Sequence, residues 1–263
     1  EGASPALWGD TLVVNWDHRG PSFIEALDAG TGETRWRRER DEGTSWATPL
    51  IVEARGRAQV VTSATRAIRG YDLETGDLLW SASGLPDNVV ASPVSADGVL
   101  VTGASYDFQA MLAIQLSEAS GSLAPDDPAI LWKTNRLTPY VPSPAVYQNQ
   151  LFYLRHLQNI LTVRHPQSGE ETSGPFRLPG LRMIFASPVI ADDRLYSVDR
   201  SGATLVMQVG PEIEPLALNR LDDRFSASPA LVGDTLYLRG EQFLYALGTE
   251  EKIRSPEPTE GAP

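Results

Sequence analysis

With 263 residues, 41% of them hydrophobic, the chain is long enough to bury a sizeable core. Its net charge of −12 argues against nucleic acid or an anionic membrane as the main partner, because both need a basic face. The absence of cysteine excludes disulfides, zinc–thiolate sites, iron–sulfur clusters and a cysteine nucleophile, and no run of 18 apolar residues offers a membrane span.

The chain opens on EGASPALWGD, which is not a signal peptide and begins without Met directly on a repeat unit. The expectation is therefore a mature or truncated piece of something longer. The repeat is a small residue, Ser or Thr, Pro, then an apolar residue. It stands at Ala3–Ala6, Ala47–Leu50, Ala91–Val94, Pro142–Ala145, Ala186–Val189 and Ala227–Ala230. The prolines 5, 49, 93, 144, 188 and 229 are spaced 44, 44, 51, 44 and 41 apart. Such a period marks a repeat architecture.

Each Pro opens a short apolar stretch, a position where it costs no ladder hydrogen bond. Turns follow at Gly9-Asp10, Asp97-Gly98, Asn149-Gln150, Asp192-Asp193 and Gly233-Asp234, residue types that tolerate positive φ in a two-residue hairpin. Next come alternating strands such as TLVVN, VLVTG, QLFYL, RLYSV and TLYLR, rich in β-branched and aromatic residues. A third strand follows in each copy, and in the early copies a fourth begins near a tryptophan. No 3.6-residue period is sustained. Four strands in about 40–45 residues predict an all-β β-propeller of four-stranded antiparallel blades. Residues 1–249 form the propeller, with repeats beginning near 3, 47, 91, 142, 186 and 227. The Pro- and charge-rich segment 250–263 reads as a disordered tail.

Two segments align at an offset of 44: ALDAGTGETRW and GYDLETGDLLW. They share Asp28 and Asp72, Thr31 and Thr75, Gly32 and Gly76, Trp36 and Trp80. A third copy ends at Trp132 after an insertion, SEASGSLAPDDPA, and a fourth keeps Ser168-Gly169 with His165 at the Asp position. The motif resembles the tryptophan-docking motif of the pyrroloquinoline-quinone-like propellers. The wording of the chain resembles the non-catalytic, exported branch of that family, which includes scaffold propellers that assist outer-membrane assembly. The resemblance implies that each Trp docks on the neighbouring blade, filling the wedge between sheets, and that the protein is periplasmic or secreted. It further implies six blades of an eight-bladed ring, since the sixth copy shows three strands and no borrowed strand precedes Ala3.

Signatures of chemistry are sparse. No G-x-S-x-G elbow, P-loop, H-E-x-x-H or EF-hand loop occurs. Gly30-Thr31-Gly32 reads as a hairpin turn, and the pairs Asp126-Asp127, Asp192-Asp193 and Asp222-Asp223 as solvated turns. In a propeller the loops between second and third strands share one rim with the links between blades. The first set supplies Asp17, His18, Arg19, Arg66, Tyr106, Asp107, Arg155, His156, Asp199 and Arg200. The second supplies Trp46, Asn88, Tyr140, Arg182, Arg224 and Phe225. Arginine and aromatic side chains together suit a carboxylate, a sugar or a protein. The candidate ligand-binding set is Asp17, His18, Trp46, Arg66, Asn88, Tyr140, His156 and Arg200.

These features predict a non-enzymatic binding or scaffold propeller, a monomer without metal or cofactor, whose partner is a protein or a small polar ligand. One alternative implied by the resemblance is a quinone-dependent dehydrogenase holding pyrroloquinoline quinone with calcium, although without Cys its disulfide lid is impossible. The other is a carbohydrate-active enzyme using rim carboxylates such as Asp17 and Asp199.

Overall fold

The computed structural model describes residues 2–155 and 159–248. His156 and the segment 250–263 thus lie outside the described residues. Among the described residues there is no helix, only strands and loops. The chain divides into two compact units, Glu1–Arg177 and Leu178–Pro263.

The first unit holds four sheets. The first contains β1 (Ala6–Trp8), β2 (Thr11–Trp16), β3 (Ser22–Asp28) and β4 (Thr34–Arg40), paired in sequence order. The second contains β5 (Leu50–Ala54), β6 (Arg57–Ser63), β7 (Ile68–Asp72) and β8 (Leu78–Ala82). The third contains β9 (Val94–Ala96), β10 (Val99–Ala104), β11 (Ala110–Gln115) and, beyond an insertion strand β12 (Gly121–Leu123), β13 (Ile130–Thr134). The fourth contains β14 (Ala145–Tyr147), β15 (Gln150–Leu154), β16 (Ile160–Arg164) and β17 (Glu171–Arg177). The second unit holds two sheets. One is β18 (Val189–Ala191), β19 (Arg194–Val198), β20 (Ala203–Gln208) and β21 (Glu214–Arg220). The other is β22 (Ala230–Val232), β23 (Thr235–Arg239) and β24 (Leu244–Leu247). Each repeat forms one antiparallel sheet, and the first strand of every sheet starts immediately after the repeat's proline.

The hairpins between first and second strands follow the predicted chemistry with one shift. Asp97-Gly98 and Asp192-Asp193 have positive φ at both central residues, the requirement of a type I′ turn. The fourth turn is Gln148-Asn149 rather than Asn149-Gln150, because Gln150 already pairs with Tyr147 in the ladder. Arg55-Gly56 adds an unpredicted turn of the same kind. The fourth strand also survives where its Trp is lost, as β17 and β21 demonstrate.

The repeated Ser or Thr has a definite task. The amide of Ser4 donates to Thr48 Oγ1 (3.2 Å), that of Thr48 to Ser92 Oγ (2.9 Å), and that of Ser92 to Ser143 Oγ (2.9 Å). In the second unit the Ser187 amide donates to Ser228 Oγ (2.9 Å). Each hydroxyl thus satisfies the amide of the preceding repeat, where no strand partner is available. The first strands of neighbouring sheets lie side by side along this line, β1 with β5, β9 with β14 and β18 with β22.

Farther out, tryptophans close the wedges. Trp36 lies between the first and second sheets with Val13, Ile24, Val60 and Tyr71, and its Nε1–H donates to Leu73 O (2.8 Å). A Cβ on Gly76 would stand 2.5 Å from this indole, and Gly76 has φ +75°, so only glycine fits beneath the ring. Trp132 repeats the arrangement on the fourth sheet, donating to Pro166 O (2.7 Å) over Gly169. His165 Nδ1 faces the Gln167 and Ser168 amides, the position Asp28 and Asp72 hold in their turns. Trp80 departs from the expected docking. It packs with Leu100, Ile114 and Leu116 of the third sheet, but its N–H turns back to Gln59 Oε1 (3.0 Å). The turn it would meet carries the insertion, and β12 instead pairs in parallel along Trp80–Ala82.

Asp28 holds the first docking turn by accepting from the Gly30 and Thr31 amides and from Thr31 Oγ1. The Arg35 guanidinium, followed by the Thr31 amide, lowers its carboxyl from 3.8 to about 2. A depressed carboxyl stabilises the fold above its unfolded value and loses that contribution as pH falls through the folded one. Asp28→Asn should therefore flatten the stability profile between 3.8 and about 2, as read by urea denaturation at several pH values. Ser92→Ala removes the acceptor of the part-buried Thr48 amide and should cost about 0.5–1.5 kcal/mol in the same measurement, whereas Ser92→Thr, which keeps the acceptor, should recover most of it.

Candidate functional site

Five loops of the first unit converge on one open cavity of about 610 Å³. Arg19 and Tyr106 come from loops between second and third strands. Trp46, Asn88 and Tyr140 come from links between blades, and Gly2 and Val90 complete the lining. The Tyr106 and Tyr140 rings stack at 6.4 Å with 29° between their planes. Tyr106 is 54% exposed, a large aromatic face left to solvent. Trp46 is half-buried, anchored by its amide to Val89 O (2.8 Å), with Gly2 against one edge of its ring. Asn88 has φ 54°, which its side chain tolerates, and its amide donates to Thr65 Oγ1 (3.1 Å). The chemistry on offer is two stacked phenols, an indole, a carboxamide and a guanidinium.

The cavity gathers Trp46, Asn88 and Tyr140 from the predicted set, with Arg19 and Tyr106 from the wider rim. Asp17 stands elsewhere: it is buried, and both carboxylate oxygens are occupied. Arg40 Nε and Nη2 donate to them at 2.8 and 3.0 Å, and Ser45 Oγ (2.7 Å) and Asn15 Nδ2 (3.1 Å) add two more bonds. Arg40 Nη1 bonds Thr62 Oγ1 and Tyr71 Oη, tying the first sheet to the second. Burial disfavours the Arg40 charge, yet the Asp17 hydrogen bond, together with Tyr71 and Glu42 nearby, holds the Arg40 pKa above its ordinary value. Asp17 is thus a structural counter-ion instead of a ligand group.

His18 is used by its own loop, with Nδ1 accepting from the Gly20 amide and Nε2 facing Pro21 O, each at 3.0 Å. Arg66 is exposed and ion-paired with Asp41, outside the cavity lining. Arg200 belongs to the second unit, where its guanidinium lies 5.4 Å from the centre of the Phe185 ring and 3.6 Å from Glu241. Phe225, expected on the rim, is 1% exposed and packs with Ala186, Val198 and Leu238. Asp199 is buried and accepts from Ser201 N, Ser201 Oγ, Ala203 N and Arg182 N at 2.8–3.0 Å. It shapes a loop.

Gly2 and Val90 were missed by side-chain chemistry but are encoded in the period. Gly2, Trp46 and Val90 each directly precede the Ala-Ser/Thr-Pro triplet, so one repeat position lines the cavity three times.

No group of three or more His, Asp or Glu converges to hold a metal ion among the described residues. Nor is any helix among them long and apolar enough to cross a membrane.

Successive antiparallel sheets, most of them four-stranded, define a β-propeller. Residues 21–252 match the family described as outer membrane protein assembly factor BamB, and the chain belongs to that family. It is 24% identical over 204 residues to an outer membrane protein assembly factor BamB from Francisella salina, covering 67% of this chain and 37% of the relative. A 92-residue stretch is 35% identical to an outer-membrane lipoprotein LolB from Chromobacterium violaceum, 35% of this chain and 50% of that one. The chain thus spans half or less of these relatives. Among solved structures, BamB from Moraxella catarrhalis superposes with a TM-score of 0.51 at 16% identity, over 90% of this chain and 79% of that one. The computationally designed Ika8 protein gives 0.67 at 14% identity, over 94% and 70%. Both likenesses concern the fold alone.

Truncating Asp17 tests its assignment. Asp17→Ala leaves Arg40 buried without a counter-charge and should cost about 3–5 kcal/mol in urea unfolding. Arg66→Ala, which removes an exposed pair, should stay within about 0.5 kcal/mol.

Proposed function

We propose that this chain is a non-enzymatic binding propeller of the bacterial cell envelope, a monomer that seats a protein partner in the loop-face cavity of its first unit. The observation that carries the proposal is the convergence of Trp46, Tyr106 and Tyr140 with Asn88 and Arg19 around about 610 Å³. Rigid aromatic faces give large contact areas at low entropy cost, and arginine beside them is typical of protein-binding hot spots. The Asn88 amide and the Arg19 guanidinium suit the carbonyls and carboxylates of a polypeptide.

Hydrolysis is disfavoured by the same geometry. It needs a proton donor and a base within reach of substrate, and Asp17 and Asp199 are both buried and fully hydrogen-bonded. The family's description, assembly of outer-membrane proteins, supports a partner from that machinery and a periplasmic location.

A photo-crosslinking residue in place of Tyr106, in cells expressing the full-length protein, should capture one envelope protein. Trp46→Ala or Arg19→Glu should weaken that complex about tenfold or more. Crosslinks that persist unchanged in both variants, or that form equally from the exposed Leu78 position, would overturn the reading.

A further inference from the structure

Between the two sheets of the second unit lies a cavity of about 520 Å³. Strand register explains why it is open. In the first sheet Thr11, which begins the second strand, pairs with Asp28; two residues before it, Ala26 pairs with Trp36. Trp80 and Trp132 occupy the same position, paired with Gly70 and Ala113. In the fifth sheet Arg194 begins the second strand and pairs with Gln208; two residues before it, Val206 pairs with Ala217. Alanine thus stands where three other blades carry an indole, and Val206, the residue beside it, lines the cavity. The loop end of the same wedge is filled by Phe225 and Tyr245, with ring centres 5.6 Å apart.

We propose that this cavity receives an aromatic side chain, an indole by preference, carried by a partner polypeptide. The occupant follows from the protein's own solution to the same geometry. Every wedge of the first unit that has Trp at this position buries that ring between consecutive sheets. Here Val206, Leu231, Leu236 and Leu238 supply apolar walls, and Arg194 and Arg220 can stack on a ring face. Carboxylates at the rim, Asp192 and Asp234, suit an indole N–H, the role that backbone carbonyls play for Trp36 and Trp132. The adjoining strand β24, reached through Leu247, has no outer neighbour among the described residues. A polypeptide can therefore add main-chain hydrogen bonds to the inserted ring, which a free indole cannot. This site is independent of the first unit's cavity, and either can fail alone.

The test uses the full chain and a short extended peptide with a central fluorotryptophan, followed by fluorine NMR. Saturable binding is expected, weakened about tenfold or more by Ala217→Trp, which fills the space in cis, and by Leu231→Gln, which makes one wall polar. Ala217→Trp should also raise the thermal midpoint, because it closes a void. Unchanged affinity in both variants overturns the proposal, as does a free fluoroindole that binds as tightly as the peptide. Should Ala217→Trp fail to fold, Leu231→Gln decides alone: native affinity refutes the site, and a tenfold loss supports it.

Discussion

The propeller hangs on the hydrogen bond that passes from one Ser/Thr-Pro step to the next. A strand that begins a blade has an amide just upstream with no ladder to enter, and such an amide needs another acceptor. The chain answers by placing a hydroxyl at that step in the next repeat, so Ser4, Thr48, Ser92 and Ser143 form an unbroken series. Proline follows because it withdraws its own donor and fixes the approach to the first strand. The series sets the lateral spacing of the first strands, and the sheets then splay outward. The wedges that open are what the tryptophans must fill.

How each wedge is filled decides which volume remains open. Trp36 and Trp132 dock on a glycine of the neighbouring turn and donate to Leu73 O and Pro166 O of those turns. Trp80 keeps its packing but exchanges the turn carbonyl for Gln59, because the insertion has replaced that turn and β12 covers the edge. The motif is therefore two separable devices: an indole that fills volume, and a turn that receives its N–H. Where the indole is absent, at Ala217, the volume itself is left over.

Strand count, hairpin chemistry and blade architecture were legible because they obey a period of two along the strand and about 44 along the chain. Convergence of loops on one rim was legible for the same topological reason, and Trp46, Asn88 and Tyr140 do meet. Individual roles within the rim were not. Asp17 follows a strand just as a ligand carboxylate would, and nothing local reveals that Arg40, more than twenty residues later, folds back to neutralise it. The ring nitrogens of His18, bonded to Gly20 and Pro21, and the Phe225 ring, buried against Leu238, likewise depend on loop paths that sequence spacing does not encode.

That contrast bears on what the first unit's cavity can do. The charged groups that look reactive in the sequence are those most tightly held, in the buried Asp17–Arg40 pair and the cradle around Asp199. A buried pair contributes little net stability, but breaking it is costly, so it serves to fix the geometry of its surroundings. Here it fixes the joint between the first two sheets, from which the link bearing Trp46 departs, with Ser45 bonded directly to Asp17. The placement of Trp46 thus depends on the buried carboxylate to which its neighbour Ser45 is bonded. For the proposed partner, a Trp46 anchored in this way is already organised before binding, which lowers the ordering cost.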